Sequence, residues 1–204
     1  MSLTHEPILR ENLLHDQIIV VDIEATCWDK STGVPEGQRS EIIEIGVALI
    51  DAETFEPSAP MSILVKPFMS QVGPFCTQLT TITQELVDTE GIPFAEACAI
   101  LESQYKAQHR LWGSWGNYDI RMFQEQCELM GVPYPFSDYH FNIKKFFTER
   151  DNKKKSMGMA AALTKLEIPL EGTHHRGGDD AWNIAKILKV LLQRHGTGFL
   201  KKYW

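Results

Sequence analysis

The sequence predicts an α/β or α+β sheet fold, because three apolar runs of strand character come first and helical patterns alternate with strands thereafter. With 204 residues, the chain fits one domain large enough to bury most of its apolar surface. The first run, residues 17–24, is four consecutive aliphatic residues, Ile18 to Val21, leading to Asp22, Ile23 and Glu24. This is a buried-type strand that turns acidic at its end. A polar loop with Gly33, Pro35 and Gly37 precedes a second run, 42–50, and the short spacing between the two suggests a hairpin. Residues 61–65 add a third strand before Pro67. Beyond a stretch containing Pro and Gly, residues 94–105 have helical spacing, with Phe94, Ala97, Cys98 and Leu101 on one face. Strands are then expected at 111–115 and 139–143, and helices at 119–130, 156–166 and 180–193. No internal repeat or low-complexity segment interrupts this order.

Composition narrows the class. Hydrophobic residues make up 43% and charged residues 23%, ordinary values for a soluble globular protein. No apolar run approaches the roughly 18 residues that a membrane span needs. Residues 1–16 are broken by His5, Glu6, Arg10, Glu11 and Asp16, so they read as a lead segment and not as a secretory signal. Cys27, Cys76, Cys98 and Cys127 form no C-x-x-C pair and read as reduced thiols of a cytoplasmic protein. A net charge of −7 argues against non-specific coating of nucleic acid, but not against an enzyme that gathers carboxylates around cations.

Three short segments carry candidate chemistry. Residues i and i+2 of a strand share a side, so Asp22 and Glu24 project together from an apolar strand. Two like charges there repel and resist desolvation, and Mg²⁺ or Mn²⁺ is the simplest remedy. The bland alternative is a pair of acids fraying into solvent. In the second segment, Trp112 to Asp119, a strand passes through a glycine turn to an acid that opens a helix. Acids in such places also serve as ordinary caps. In the third, His174-His175-Arg176-Gly177-Gly178-Asp179-Asp180 stands before a helix that either aspartate is placed to cap. Its glycines allow a tight approach, so a histidine a few residues upstream can swing over the same cleft.

Together the pieces have the order and spacing of the DEDDh exonucleases, and the sequence resembles that family from about residue 17 to about residue 193. Asp22, Glu24, Asp119, His175 and Asp180 fall on its five motif positions. Within the family the chain is most similar to exonucleases that trim histone messenger RNA and small interfering RNA. That likeness rests on Asp22 to Cys27, Glu41 to Ile45, Phe75 to Thr83, and Gly178-Asp179-Asp180 with Asn183-Ile184-Ala185. It departs in the turn before Asp119 and in the 16 leading residues, which leave no room for the extra nucleic-acid-binding module of human-type members.

The resemblance implies a ribonuclease H-like fold, a five-stranded mixed sheet flanked by helices. It divides the chain into a lead segment (1–16), an exonuclease domain (17–195) and a tail (196–204). The implied activity is 3′-to-5′ hydrolysis of a single strand, RNA favoured, to nucleoside 5′-monophosphates. It also implies two Mg²⁺ ions, replaceable by Mn²⁺, about 3.5–4 Å apart. Asp22 is expected to bridge them, with Glu24 and Asp180 on the nucleophile side and Asp119 on the other. His175 is the expected general base, Asp179 a structural residue at the helix start, and His174 is given no role. By the same likeness Leu79 and Thr80 touch the terminal nucleotide, Ile23 and Ala25 line its pocket, and Tyr118 is a further contact; core packing is the alternative for Leu79.

Lys144, Lys145, Arg150, Lys153, Lys154 and Lys155 form a locally basic stretch that either follows incoming phosphates or is a solvated face. Trp182 is expected in the core, and the aromatic tail from Phe199 to Trp204 against the fold or a second subunit. The competing readings are a DNA-directed exonuclease, an RNA-binding module without catalysis, and a ribonuclease-H-like endonuclease. No membrane contact is expected, and a protein partner and the oligomeric state are left open by the sequence.

Overall fold

A computed structural model describes residues 9–150 and 156–202. Five strands form one mixed sheet in the order β3-β2-β1-β4-β5: β1 (Leu14–Ala25), β2 (Ile42–Asp51), β3 (Met61–Leu64), β4 (Arg110–Ser114) and β5 (His140–Asn142). β1 lies at the centre, antiparallel to β2 and parallel to β4, and β5 runs parallel to β4. Seven α-helices accompany them among the described residues: α1 (Pro74–Thr80), α2 (Gln84–Thr89), α3 (Phe94–Tyr105), α4 (Tyr118–Met130), α5 (Ile143–Arg150), α6 (Met159–Lys165) and α7 (Gly177–His195). This is the five-stranded mixed sheet that the resemblance implies. None of these helices is long and apolar enough to cross a membrane.

Alternation along β1 decides which face each residue meets. Ile18 and Val20 pack with α5, α6 and α7, whereas Ile19, Val21 and Ile23 pack with α3 and α4. Continuing the period sends Asp22 and Glu24 to the α7 side. At Glu24 the β1–β2 register shifts, so that Glu24 opposes Glu44 while Ala25 opposes Ile42. Such irregularities often end regular pairing beside functional sites. Ile43, released from the pairing, packs with Cys76, Ile82 and Val87 of the α1–α2 region.

Three helices escape the sequence reading. The stretch after Pro67 holds α1, which has Pro74 at its first position, and α2, capped by the Thr83 side chain at 3.1 Å. The expected strand 139–143 stops at Asn142, because Ile143 opens α5 and buries Ile143, Phe146 and Phe147 on one face. Lys144, Lys145 and Arg150 therefore sit on a helix, while Lys153, Lys154 and Lys155 fall outside the described residues. Phe199 stacks on Phe146 at 3.6 Å and Leu200 is fully buried, so the described part of the tail docks on its own fold. Trp182 is only half-buried and donates its indole N–H to Glu171 at 2.7 Å. All four cysteines are free.

Candidate active site

The acids meet at the carboxyl end of β1. β4 pairs with β1 only as far as Val20, which leaves the Ile23 N–H without a strand partner on that side. Asp119, buried in the first turn of α4, accepts that proton on Oδ1 at 3.1 Å. One hydrogen bond thus replaces a missing rung of the sheet and holds the acid beside Asp22 and Glu24. Ser114, at the end of β4, donates its hydroxyl to the Gly116 carbonyl at 3.2 Å, within the turn that leads to Asp119. Oxygens of Asp22, Glu24 and Asp180 all lie within 4.8 Å of one another.

Asp180 is delivered by the start of α7, and there the geometry departs from the expected aspartate cap. The helix begins at Gly177, with Arg176 before it, so both aspartates lie inside the first turn. Glu44 supplies the capping interaction: its Oε2 accepts the Gly177 N–H at 2.6 Å. The same fully buried carboxylate accepts Arg176 Nε at 3.1 Å and Nη2 at 2.8 Å, and bonds the Ser62 hydroxyl. A Cβ on Gly46 would stand 1.8 Å from the Gly177 carbonyl oxygen, so α7 approaches the sheet backbone to backbone. Glu44 and Arg176 are functional neighbours that sequence reasoning missed, since 131 positions separate residues whose pairing only the fold reveals.

The loop before α7 holds the histidines. Asp179 accepts the Thr173 N–H at 2.7 Å, the structural role expected of it. His175 adopts φ +66°, a left-handed conformation uncommon for a side-chain-bearing residue, and its N–H donates to Asp180 Oδ2 at 3.0 Å. Its Nδ1 lies 3.9 Å from Glu24 Oε1. His174 has the role that the sequence did not assign: its Nδ1 pairs with Asp180 Oδ2 at 2.9 Å, and its ring stacks on His175 at 4.0 Å.

Electrostatics follow from this crowding. Burial, then the charges of Asp119, Asp180, Glu24 and Glu44, push Asp22 well above the usual carboxylate range. Burial first and Asp180 second raise Glu24 to about 8. Burial raises Asp119 to about 6 and moves Asp180 upward. Partial burial and the neighbouring His174 hold His175 below its ordinary value, favouring the neutral ring. The donor set fits a hard divalent cation, with converging, desolvated and mutually repelling carboxylates that such an ion would neutralise.

The expected substrate contacts divide. Leu79 is 39% exposed and Tyr118 44%, so both offer apolar surface, and core packing is excluded for Leu79. Phe75, one helical turn before Leu79, is also 39% exposed and was not singled out as a contact. Its signal was the i, i+4 spacing, unreadable without knowing that α1 is a helix. Thr80 is fully buried, with its hydroxyl bonded to the Cys76 carbonyl and the Ile82 N–H, so its side chain offers nothing to a nucleotide. Ile23 and Ala25 turn into the core shared with α3 and α4 and keep only 5% and 6% of their surface exposed. α1 is tied to the site by Cys76 Sγ, which donates to the Ala25 carbonyl at 3.5 Å.

Comparison with known proteins places this geometry. Residues 19–188 match the exonuclease family represented by RNase T. Human 3′-5′ exoribonuclease 1 is 33% identical over 191 residues, which cover 88% of this chain and 53% of that protein. The chain thus spans about half the length of the curated relatives it matches first. A solved structure of the nuclease domain of 3′hExo, described as a DEDDh family member bound to rAMP, superposes with a TM-score of 0.77 at 29% identity. It covers 89% of this chain and 94% of that one. A second, of a 3′-exonuclease recognising the 3′ end of a histone mRNA stem-loop, has a TM-score of 0.75 at 28% identity, covering 89% and 83%.

Proposed function

The chain belongs to the DEDDh exonuclease family, and from that premise we propose that it hydrolyses single-stranded RNA from the 3′ end, releasing nucleoside 5′-monophosphates. The observation that carries this reading is the convergence of Asp22, Glu24 and Asp180 oxygens within 4.8 Å, with Asp119 bonded to Ile23 beside them and His175 3.9 Å from Glu24. Family members work with divalent metal ions. Here Asp22, Glu24, Asp119 and Asp180 would hold two of them, Mg²⁺ or Mn²⁺. When bound, such a pair acidifies the attacking water and neutralises charge on the phosphate and the departing 3′ oxygen.

The protein's own groups do the rest. Neutral His175, at the mouth of the acid cluster, takes the proton of the attacking water as general base. Its strained backbone and the bond from its N–H to Asp180 hold the ring there. Phe75 and Leu79 on α1, and Tyr118 at the start of α4, present apolar surface on which a terminal base can stack. The preference for RNA is supported by the relatives, whose names and ligands are those of RNA-directed enzymes.

The test is incubation of 5′-labelled single-stranded RNA and DNA, side by side, with Mg²⁺, Mn²⁺ or chelator. A descending ladder on RNA that vanishes with chelator is expected. Faster digestion of DNA would transfer the substrate assignment to DNA, and no shortening of either strand would overturn the enzymatic reading.

A further inference from the structure

A cleft of about 500 Å³ opens at the carboxyl ends of β4 and β5, and we propose that it carries the part of the strand 5′ to the scissile bond. The inference rests on the exonuclease reading and adds the direction in which the substrate runs. Gly116, Asn117, Asn142, Lys144, Lys145 and Thr148 are among its lining residues. Asn117 stands immediately before α4, two residues from Asp119, so one wall of the cleft belongs to the same turn that delivers Asp119.

Sheet order sets the direction. β1 and its acids are central. α1, carrying Phe75 and Leu79, packs with Ile43 and Leu64 on the β2–β3 side, whereas the cleft lies at the carboxyl ends of β4 and β5. A strand whose last base rests against α1 crosses the acids and leaves through the cleft.

The lining chemistry suits phosphodiesters. Asn142 Nδ2 donates to Asn117 Oδ1 at 2.9 Å, and its Oδ1 caps α5 by accepting the Lys145 N–H at 2.8 Å. These two bonds fix the wall from which both lysines project. Lys145 makes only a long contact of 3.9 Å with Glu149, also in the lining, and among the described residues no carboxylate pairs with Lys144. The lining holds no aromatic side chain, so the cleft grips the backbone without reading bases. In a chain of net charge −7, a local cationic track keeps a polyanion on course.

The experiment measures binding of a fluorescent single-stranded RNA oligonucleotide to the full chain, in chelator, across a salt series. Two lost phosphate contacts should lower the slope of log affinity against log salt by about 1.4 in Lys144→Gln/Lys145→Gln. Low-salt affinity should fall on the order of tenfold. Lys144→Arg/Lys145→Arg should keep the wild-type slope, which separates charge from misfolding. Hydrolysis of thymidine 5′-p-nitrophenyl phosphate, too short to reach the cleft, should be unchanged in both variants. An unaltered salt slope in the glutamine variant, or equal loss on the short ester, overturns the proposal. A slope that falls as expected in a chain that cleaves neither substrate would sink the exonuclease reading and leave the cleft standing.

Discussion

Among single residues, Asp22 and Glu24 were legible as a pair because a strand's two-residue period places them together, and as metal ligands, over acids fraying into solvent, only through the family resemblance. Asp119 and Asp180, each in the first turn of its helix, were legible only through the family's order and spacing. His174, Glu44 and Arg176 were not, since their meaning depends on contacts that only the folded loop before α7 creates. His175→Ala is expected to reduce turnover by about 10²–10⁴-fold with an unchanged melting temperature, the usual worth of a general base. Its measurement is single-turnover cleavage alongside thermal denaturation. His174 touches the outer side of Asp180, so it acts through that carboxylate as a positioning residue. His174→Ala should weaken Mn²⁺ binding, measured by calorimetry, by about 10–100-fold. His174→Gln, which can still donate a hydrogen bond, should recover part of the loss.

Among elements, all five strands and four helices were legible, whereas α1, α2 and α5 were not. The sequence-predicted range 94–105 coincides with α3, whose apolar face repeats over three turns. α1 and α2, of seven and six residues, are too short for a period to emerge. α5 was concealed differently, because its lysines drew attention to charge while Ile143, Phe146 and Phe147 marked its buried face. The start of α7 was misplaced because a glutamate from β2, and not a local aspartate, supplies its capping interaction.

That same clamp makes a prediction about the element. Arg176→Met leaves Glu44 buried with only Gly177 and Ser62 as partners, and should cost about 3 kcal/mol, the low end for a broken buried pair. Urea denaturation measures this, and a cycle with Glu44→Gln should show coupling between the two sites. Non-additivity near zero would mean that the pair does not fix α7.

For the molecule as a whole, the sheet brings the acids together and the fold tolerates their repulsion. Without metal, Glu24 binds its proton up to about pH 8 when folded, against about 4.5 when unfolded. Between those values the folded state holds more protons, so stability is present at low pH and is lost as pH rises through about 8. The melting temperature in chelator should therefore fall across this window, and Mn²⁺ should restore it most at the alkaline end. A melting temperature that rises with pH in chelator would place the acids too far apart to repel.

The central claim is that four distant acids build one cation site, and Mn²⁺ titration of the wild-type protein beside Asp22→Asn tests it most directly. Two bound ions per chain are expected in the wild type, with binding lost in the variant. Wild-type stoichiometry retained by Asp22→Asn, or no specific binding to the wild-type chain, would contradict the account.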